Sequence, residues 1–296
     1  MKKIAPQLGS EIESDWSLRR PSLKDLKGVK DIVVIGDTHC GSKAALLDPG
    51  FTDKDGMGFK PSPNQQQLWD WWEEFWAWTK KRLAGRPYIV VHNGDQVDGV
   101  HHGCVQLVTN NVQTQRRMFV DLMAPKLADP QCKGFFCIAG TAAHAGQSNA
   151  DEETCAKQLG AIPNDTGTYA RQDLWLEMGD ELIQFAHHIG TTSSQAYKSS
   201  PAMRLMASMY GAAGEWGFKP PTIMIRSHAH DYVEVKRPNC RVVVCPAWQL
   251  KTDWMHGKDT SSLPIIGGLV IRQGEEGVHI REFIRTPKPS SHVKLT

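Results

Sequence analysis

Ile32-Val33-Val34-Ile35, four β-branched residues in a row, is the feature that most constrains what this chain can fold into. A strand with one wet face alternates apolar and polar side chains. One that is apolar at every position is covered on both faces, as inner strands of α/β folds are. The run stops at Gly36, and Asp37 and His39 follow at once. With one residue between them, a chain leaving a strand can aim a carboxylate oxygen and an imidazole nitrogen at one point about 2.0–2.2 Å from each, a metal–ligand distance. Alone the pair is a weak signal, because a strand-end turn with a solvated Asp and a satisfied His reads the same way.

The arrangement recurs. After a Gly- and Pro-rich loop over 44–63, Leu68, Trp69, Trp72, Phe75, Trp76 and Leu83 fall at three- and four-residue steps, which predicts a helix capped by Asn64 and running to about residue 84. A second apolar run, 88–92, ends in Asn93-Gly94-Asp95-Gln96-Val97-Asp98-Gly99. Strand, helix, strand in this order makes a parallel crossover, so Asp95 emerges beside Asp37. A helix is predicted over 106–127. A third run, 134–139, then ends at Gly140-Thr141-Ala142-Ala143-His144, with Ser148 or Asn149 capping the helix after it. Two runs, 174–178 and 181–186, flank the hairpin turn Gly179-Asp180 and lead to His187-His188. Thr222 opens a short strand that ends in Arg226-Ser227-His228-Ala229-His230. Strands over 233–235, 241–245, 268–272 and 278–284 are all assigned to a second sheet.

A chain of 296 residues with 40% apolar content can bury a sizeable core, and one domain is expected. It would span 30–285, with an N-terminal arm over 1–29, a tail over 286–296, and a helical insertion over 190–220 as a candidate cap on the site. A net charge of +2 without a basic run gives no strong nucleic-acid or membrane signature. Seven cysteines without a Cys-x-x-Cys pair argue against a zinc ribbon and a disulfide framework, and so for a reducing compartment. No apolar run approaches the roughly 20 residues of a membrane span, and no signal-peptide core follows Met1-Lys2-Lys3, so a cytoplasmic protein without membrane partners is expected. Nothing in the sequence sets an oligomeric state.

Five strand ends thus present Asp37 and His39, Asp95 and Asp98, His144, His187 with His188, and His228 with His230. Carboxylates and imidazoles without thiolate spacing suit Mn²⁺, Fe or Zn²⁺ better than Ca²⁺ or a structural zinc. The ordered set Asp-x-His, Gly-Asp-x-x-Asp, Gly…His, His after a strand, and His-x-His resembles the calcineurin-like metallophosphoesterases over roughly residues 30–285. Gly-Thr-x-x-His and His-His-Ile-Gly-Thr-Thr are similar to stretches of the stand-alone members common in tailed phages and prophages.

The resemblance implies an α/β fold, a four-layer α/β/β/α sandwich with two facing mixed β-sheets and a dinuclear site at their carboxyl ends. It further implies two divalent transition-metal ions, Mn²⁺ foremost. Asp37, His39 and His230 would hold one ion, His187 and His228 the other, and Asp95 would bridge. Asp98 would stand behind the ligands and orient them. His187 is preferred to His188 because it directly continues its strand. The departure is the third motif, where the family's Gly-Asn-His is replaced by Gly140-Thr141 with His144 two residues late. A Thr hydroxyl is a poorer ligand than an amide oxygen, so the second ion is looser there, takes water, or is bound by another residue.

By the same resemblance, the enzyme would be a phosphodiesterase or phosphatase that uses metal-activated hydroxide, with Asp95 and His144 catalytic and His144 protonating the leaving group. Its substrate would be a nucleotide or other small phosphoester. His101, His102 and Arg226, with Arg171 and Lys251, are candidates for phosphate contact. One alternative is a DNA or RNA nuclease that stacks bases on Trp71, Trp78, Trp248 and Trp254. The other is a non-catalytic binding module with one degraded metal site.

Overall fold

The computed structural model describes residues 21–288 apart from 102, 193 and 259–261. Most of the expected arm, most of the tail and His102 therefore lie outside the described residues. In chain order the elements are β1 (Asp31–Ile35), α1 (Pro63–Leu83), β2 (Tyr88–Asn93), α2 (Val112–Leu127), β3 (Cys132–Ile138), α3 (Ala150–Gln158), β4 (Ala170–Arg171) and β5 (Asp173–Met178). There follow β6 (Glu181–Ala186), α4 (Ser200–Trp216), β7 (Ile223–Arg226), β8 (Val233–Arg237), β9 (Cys240–Val244), α5 (Asp253–Lys258), β10 (Ile266–Gly274) and β11 (Gly277–Arg285). No helix among the described residues is long and apolar enough to cross a membrane.

The strands form two mixed sheets, one in the order β11-β10-β1-β2-β3-β4 and one in the order β5-β6-β7-β9-β8. Side-chain alternation then builds three apolar layers. Ile32, Val34, Ile89, Val91, Phe136 and Ile138 of the first sheet meet Ile183, Phe185, Ile223, Ile225 and Val243 of the second. On the outer side of the first sheet, Val33, Ile35, Val90 and Phe135 meet Trp72, Phe75, Phe119 and Cys155 from α1, α2 and α3. On the outer side of the second, Met224, Val242 and Val244 meet Ala202 and Met206 of α4. The architecture is the expected α/β/β/α sandwich, and β1, buried at all five positions, lies in its middle.

Several expectations are corrected. β10 and β11 do not extend the second sheet: β10 runs antiparallel along β1, and β11 along β10. The crossover through α1 puts β2 on one side of β1 only, and β10 supplies hydrogen bonds to the other side. Helix α1 is capped by Ser62 rather than Asn64, because the Ser62 side chain accepts from Gln65 N and Pro63 takes the first position. Helix α2 starts only at Val112, since residues before it pair with the loop after β1, through Lys43 N to Gln106 O and Val108 N to Gly41 O. Ser148 and Asn149 adopt positive φ and cap nothing with their side chains. Helix α4, the centre of the insertion, packs on the outer face of the second sheet rather than over its rim.

Candidate metal centre

The carboxyl ends of β1, β2, β6 and β7 meet at one edge of the sandwich and turn there under strain. Eight described non-glycine residues have positive φ, and five of them are Asp37, His39, Asp95, His228 and His230. Such conformations cost on the order of 1–3 kcal/mol each and persist only where neighbouring structure over-determines them. Here it does, by parallel lacing of two strand-end segments: Asp37 N to Gly94 O at 2.9 Å, His39 N to Asp95 O at 3.0 Å and Asp98 N to Cys40 O at 3.0 Å. Trp248 N to Asp37 O, Ser227 N to His187 O and Ile265 N to His230 O fasten the remaining ends.

Ligands about 2.0–2.2 Å from one ion stand roughly 3–3.6 Å from each other. His39 Nε2 lies 3.2 Å from His230 Nε2, and His230 Nε2 lies 3.5 Å from Asp37 Oδ1. On the other side His187 Nε2 is 3.1 Å from Asp95 Oδ2, while His39 Nε2 is 3.8 Å from the same oxygen. Two sets of donor atoms, Asp37/His39/His230 and Asp95/His187/His228, thus gather within 4.8 Å, and Asp95 also groups with His39 and His144. These groups are able to hold metal.

The imidazoles are oriented as ligands require. His187 Nδ1 lies 2.7 Å from Asn93 O, which only accepts, so Nδ1 carries the proton and Nε2 turns a lone pair toward the carboxylates. His39 Nδ1 is 3.3 Å from Asp98 Oδ1, with Nε2 again facing inward. A lone pair opposed to a carboxylate needs a proton or a cation between them. With protons alone, burial pushes the His187 imidazolium down, but Asp95 and then Asp37 outweigh it and hold it up to about 10. Asp95 goes the opposite way, burial raising it and His187 and His39 leaving it well below the usual carboxylate range. Mutual dependence of this kind is what a donor set for divalent cations has, so the residues present fit such ions.

His144 stands at the rim. Its Nδ1 is 2.6 Å from Asp98 O, and its ring meets those of His39 and His101 edge-on, with centroids 4.5 and 4.4 Å away. Burial first and His39 second hold it down to about 4. Asp98, with Gln249 Nε2 3.2 Å from Oδ1, stands behind His39, His144 and His101. Thr141 lies against the shared carboxylate: its N is 2.7 Å and its Oγ1 3.2 Å from Asp95 Oδ1, both as donors.

Other candidates lie elsewhere. His187 shares the inward phase of Ile183 and Phe185, whereas His188 falls on the opposite phase and is exposed, its ring tilted against that of His228 with centroids 4.5 Å apart. Arg226 is buried on the outer face of its sheet, donating to Gln184 Oε1. Arg171 donates to Ile162 O and Pro163 O, and Lys251 to Ser262 O. Trp248 is wholly buried against Trp72 and Phe75, and Trp71 and Trp78 pack on the same core, while Trp254 is exposed.

Sequence reasoning missed Gln65, Gln115 and Glu152, each buried in the first turn or so of its helix. Gln65 donates to Ser42 O and Ala45 O, Gln115 holds Gly99 through both N and O, and Glu152 accepts from Gln96 N and Gly140 N. The available signal was phase. Each sits three residues before a buried apolar residue, Leu68, Met118 or Cys155, and so lies on the apolar stripe, where a polar side chain needs a partner.

Fold and site together define an α/β/β/α sandwich with a buried Asp/His cluster, able to hold metal, at the carboxyl edge of its two sheets. No family model matches the chain, and no curated protein does. Among solved structures it is similar to a novel archaeal phosphodiesterase, with 11% identity, 86% of this chain and 99% of that one covered, and a TM-score of 0.39. It is also similar to a zinc complex of Vps29 from Entamoeba histolytica, with 8% identity, 86% and 98% covered, and a TM-score of 0.36. A 5'-nucleotidase candidate from Staphylococcus aureus shows 10% identity, 90% and 56% covered, and a TM-score of 0.42.

Proposed function

We propose that this chain is a metal-dependent phosphoester hydrolase whose centre takes two divalent transition-metal ions, Mn²⁺ foremost, with Fe or Zn²⁺ as the other candidates. One observation carries the reading: two His/Asp donor sets, spaced as ligands are, lie side by side with the Asp95 carboxylate between them. In this reading Asp37, His39 and His230 would hold one ion and His187 and His228 the other, with Asp95 as the carboxylate they would share. Bound there, the pair supplies positive charge to a phosphoryl oxygen and lowers the pKa of a water for in-line attack.

The chain's own groups do the rest. Asn93 O and Asp98 fix the imidazole orientations, and Thr141 steadies the shared carboxylate. His144, its Nδ1 proton committed to Asp98 O, turns Nε2 to the leaving group and protonates it. The free imidazole is neutral at pH 7, so it takes its second proton from solvent when substrate is bound, the substrate's negative oxygens favouring the imidazolium, and gives that proton to the departing alkoxide. The substrate proposed is a nucleotide or other small phosphoester. Burial of Trp248 removes one of the four base-stacking side chains that a nuclease reading invoked.

Hydrolysis of bis(4-nitrophenyl) phosphate, compared with Mn²⁺ and with EDTA, tests the reading. Turnover that depends on Mn²⁺ and drops by at least about 10²-fold in Asp95→Asn is expected. Turnover indifferent to EDTA and to Asp95→Asn would refute it.

A further inference from the structure

We propose that Glu152 is the positioning residue that couples the two halves of this centre, a role that rests on the metal-dependent reading above. Glu152 comes from α3, not from any strand end, and is completely buried. Its two oxygens take one backbone N–H each: Oε1 that of Gln96 at 3.1 Å and Oε2 that of Gly140 at 2.5 Å. Gln96 directly follows Asp95, and Gly140 directly precedes Thr141. The carboxylate therefore spans the turn that carries the shared ligand and the turn that steadies it. With the Gly140 amide held, the next amide, Thr141 N, donates to Asp95 Oδ1 at 2.7 Å. Gly140 can lie so close only because it lacks a Cβ, which would drive into the Asp95 carboxylate.

Two neighbouring helices do similar work at one remove. Gln115 holds Gly99, which closes the Asp95–Asp98 turn, and Gln65 holds the loop after His39. Glu152 alone of the three bridges two strand ends. Desolvating a carboxylate this completely is expensive unless both oxygens are bonded, which they are. An amide of the same shape cannot replace it: a carboxyl group keeps an acceptor lone pair on each oxygen whether or not it is protonated, whereas a Gln would present its own N–H₂ to one of the two backbone donors.

Glu152→Gln should therefore damage the pairing of the ions rather than the fold. In Mn²⁺ titrations followed by EPR, the wild type should fill to an exchange-coupled pair. In Glu152→Gln the second ion should bind about 10–100-fold more weakly, as loss of a group supporting ligands does, with the first nearly unchanged. A lowered Tm with an unaltered Mn²⁺ titration would mean a merely structural role and would overturn the proposal. Should the variant not fold, metal-free wild type decides: amide protons of Gln96 and Gly140 should lie downfield and exchange slowly, and rapid exchange at either would overturn it. Wild-type protein that takes up no Mn²⁺ would refute the proposed function instead, with those amide resonances still reporting on the Glu152 bridge.

Discussion

His144 stands at the rim with Nδ1 engaged by Asp98 O and a ring that is only partly buried, so its substitution separates proton donation from metal binding. His144→Ala should lower kcat by about 10²–10⁴-fold on an alkyl or nucleoside phosphodiester, whose alkoxide needs a proton to leave. A nitrophenolate leaves without one, and on a nitrophenyl ester the same variant should lose far less. Equal losses on both substrates, or loss of bound Mn²⁺, would make His144 a ligand or a structural residue. Thr141 carries a related lesson. Its hydroxyl is placed to donate to the shared carboxylate, so the chemistry of a Thr in that position is support of Asp95 as much as contact with an ion.

At the scale of elements, the strand-end turns concentrate the constraint. Gly94, at φ 92°, has His187 Nδ1 where its Cβ would be, and Gly140 has Asp95 there. Gly140→Ala must push the β3 end away from the β2 end, which breaks the hydrogen bonds from Gly140 N to Glu152 and from Thr141 N to Asp95 while leaving the apolar layers intact. The expected outcome is a folded protein, with far-UV circular dichroism like the wild type, that binds the second Mn²⁺ at least about 10-fold more weakly. Unchanged Mn²⁺ affinity would show that the turn tolerates the methyl group and that the close approach is incidental. The helices hold these turns from outside, and each uses a polar side chain in its opening turns for the purpose. That is why the motifs near strand ends were legible in the sequence and their supports were not: a support is recognisable only by its phase on a helix, and its target is a backbone group that any residue could supply.

For the molecule as a whole, burial of the centre sets how the metal-free protein responds to acid. His92 is held down to about 3 by burial, His144 to about 4 by burial and then His39, and His228 to about 4 by burial and then His187. Unfolded, all three take up protons below about pH 6.5. The unfolded chain then binds more protons than the folded one, and stability falls as pH falls. Glu152 opposes this. Pushed up to about 7 by burial and then Asp95, it keeps its proton in the fold between about pH 4.5 and 7, where the unfolded residue has lost it. Asp151, raised by burial, acts in the same sense. His187, raised to about 10, contributes stability below about pH 6.5 that is lost only as pH climbs toward 10. Three imidazoles shifted across the window outweigh the carboxyls, so in EDTA the Tm should drop from pH 7 to pH 5; a rise would contradict the buried neutral imidazoles. The sequence by itself determined the inner strand, the crossover that sets Asp95 beside Asp37, and the strand-end identity of the site, because period and strand termination are local properties of a chain. Only the tertiary structure decided that β10 returns to β1, that α4 packs on the outer face of the second sheet, and that Glu152 joins two turns. Those outcomes depend on which edge needs a partner, which face is covered, and which buried amide has no other acceptor.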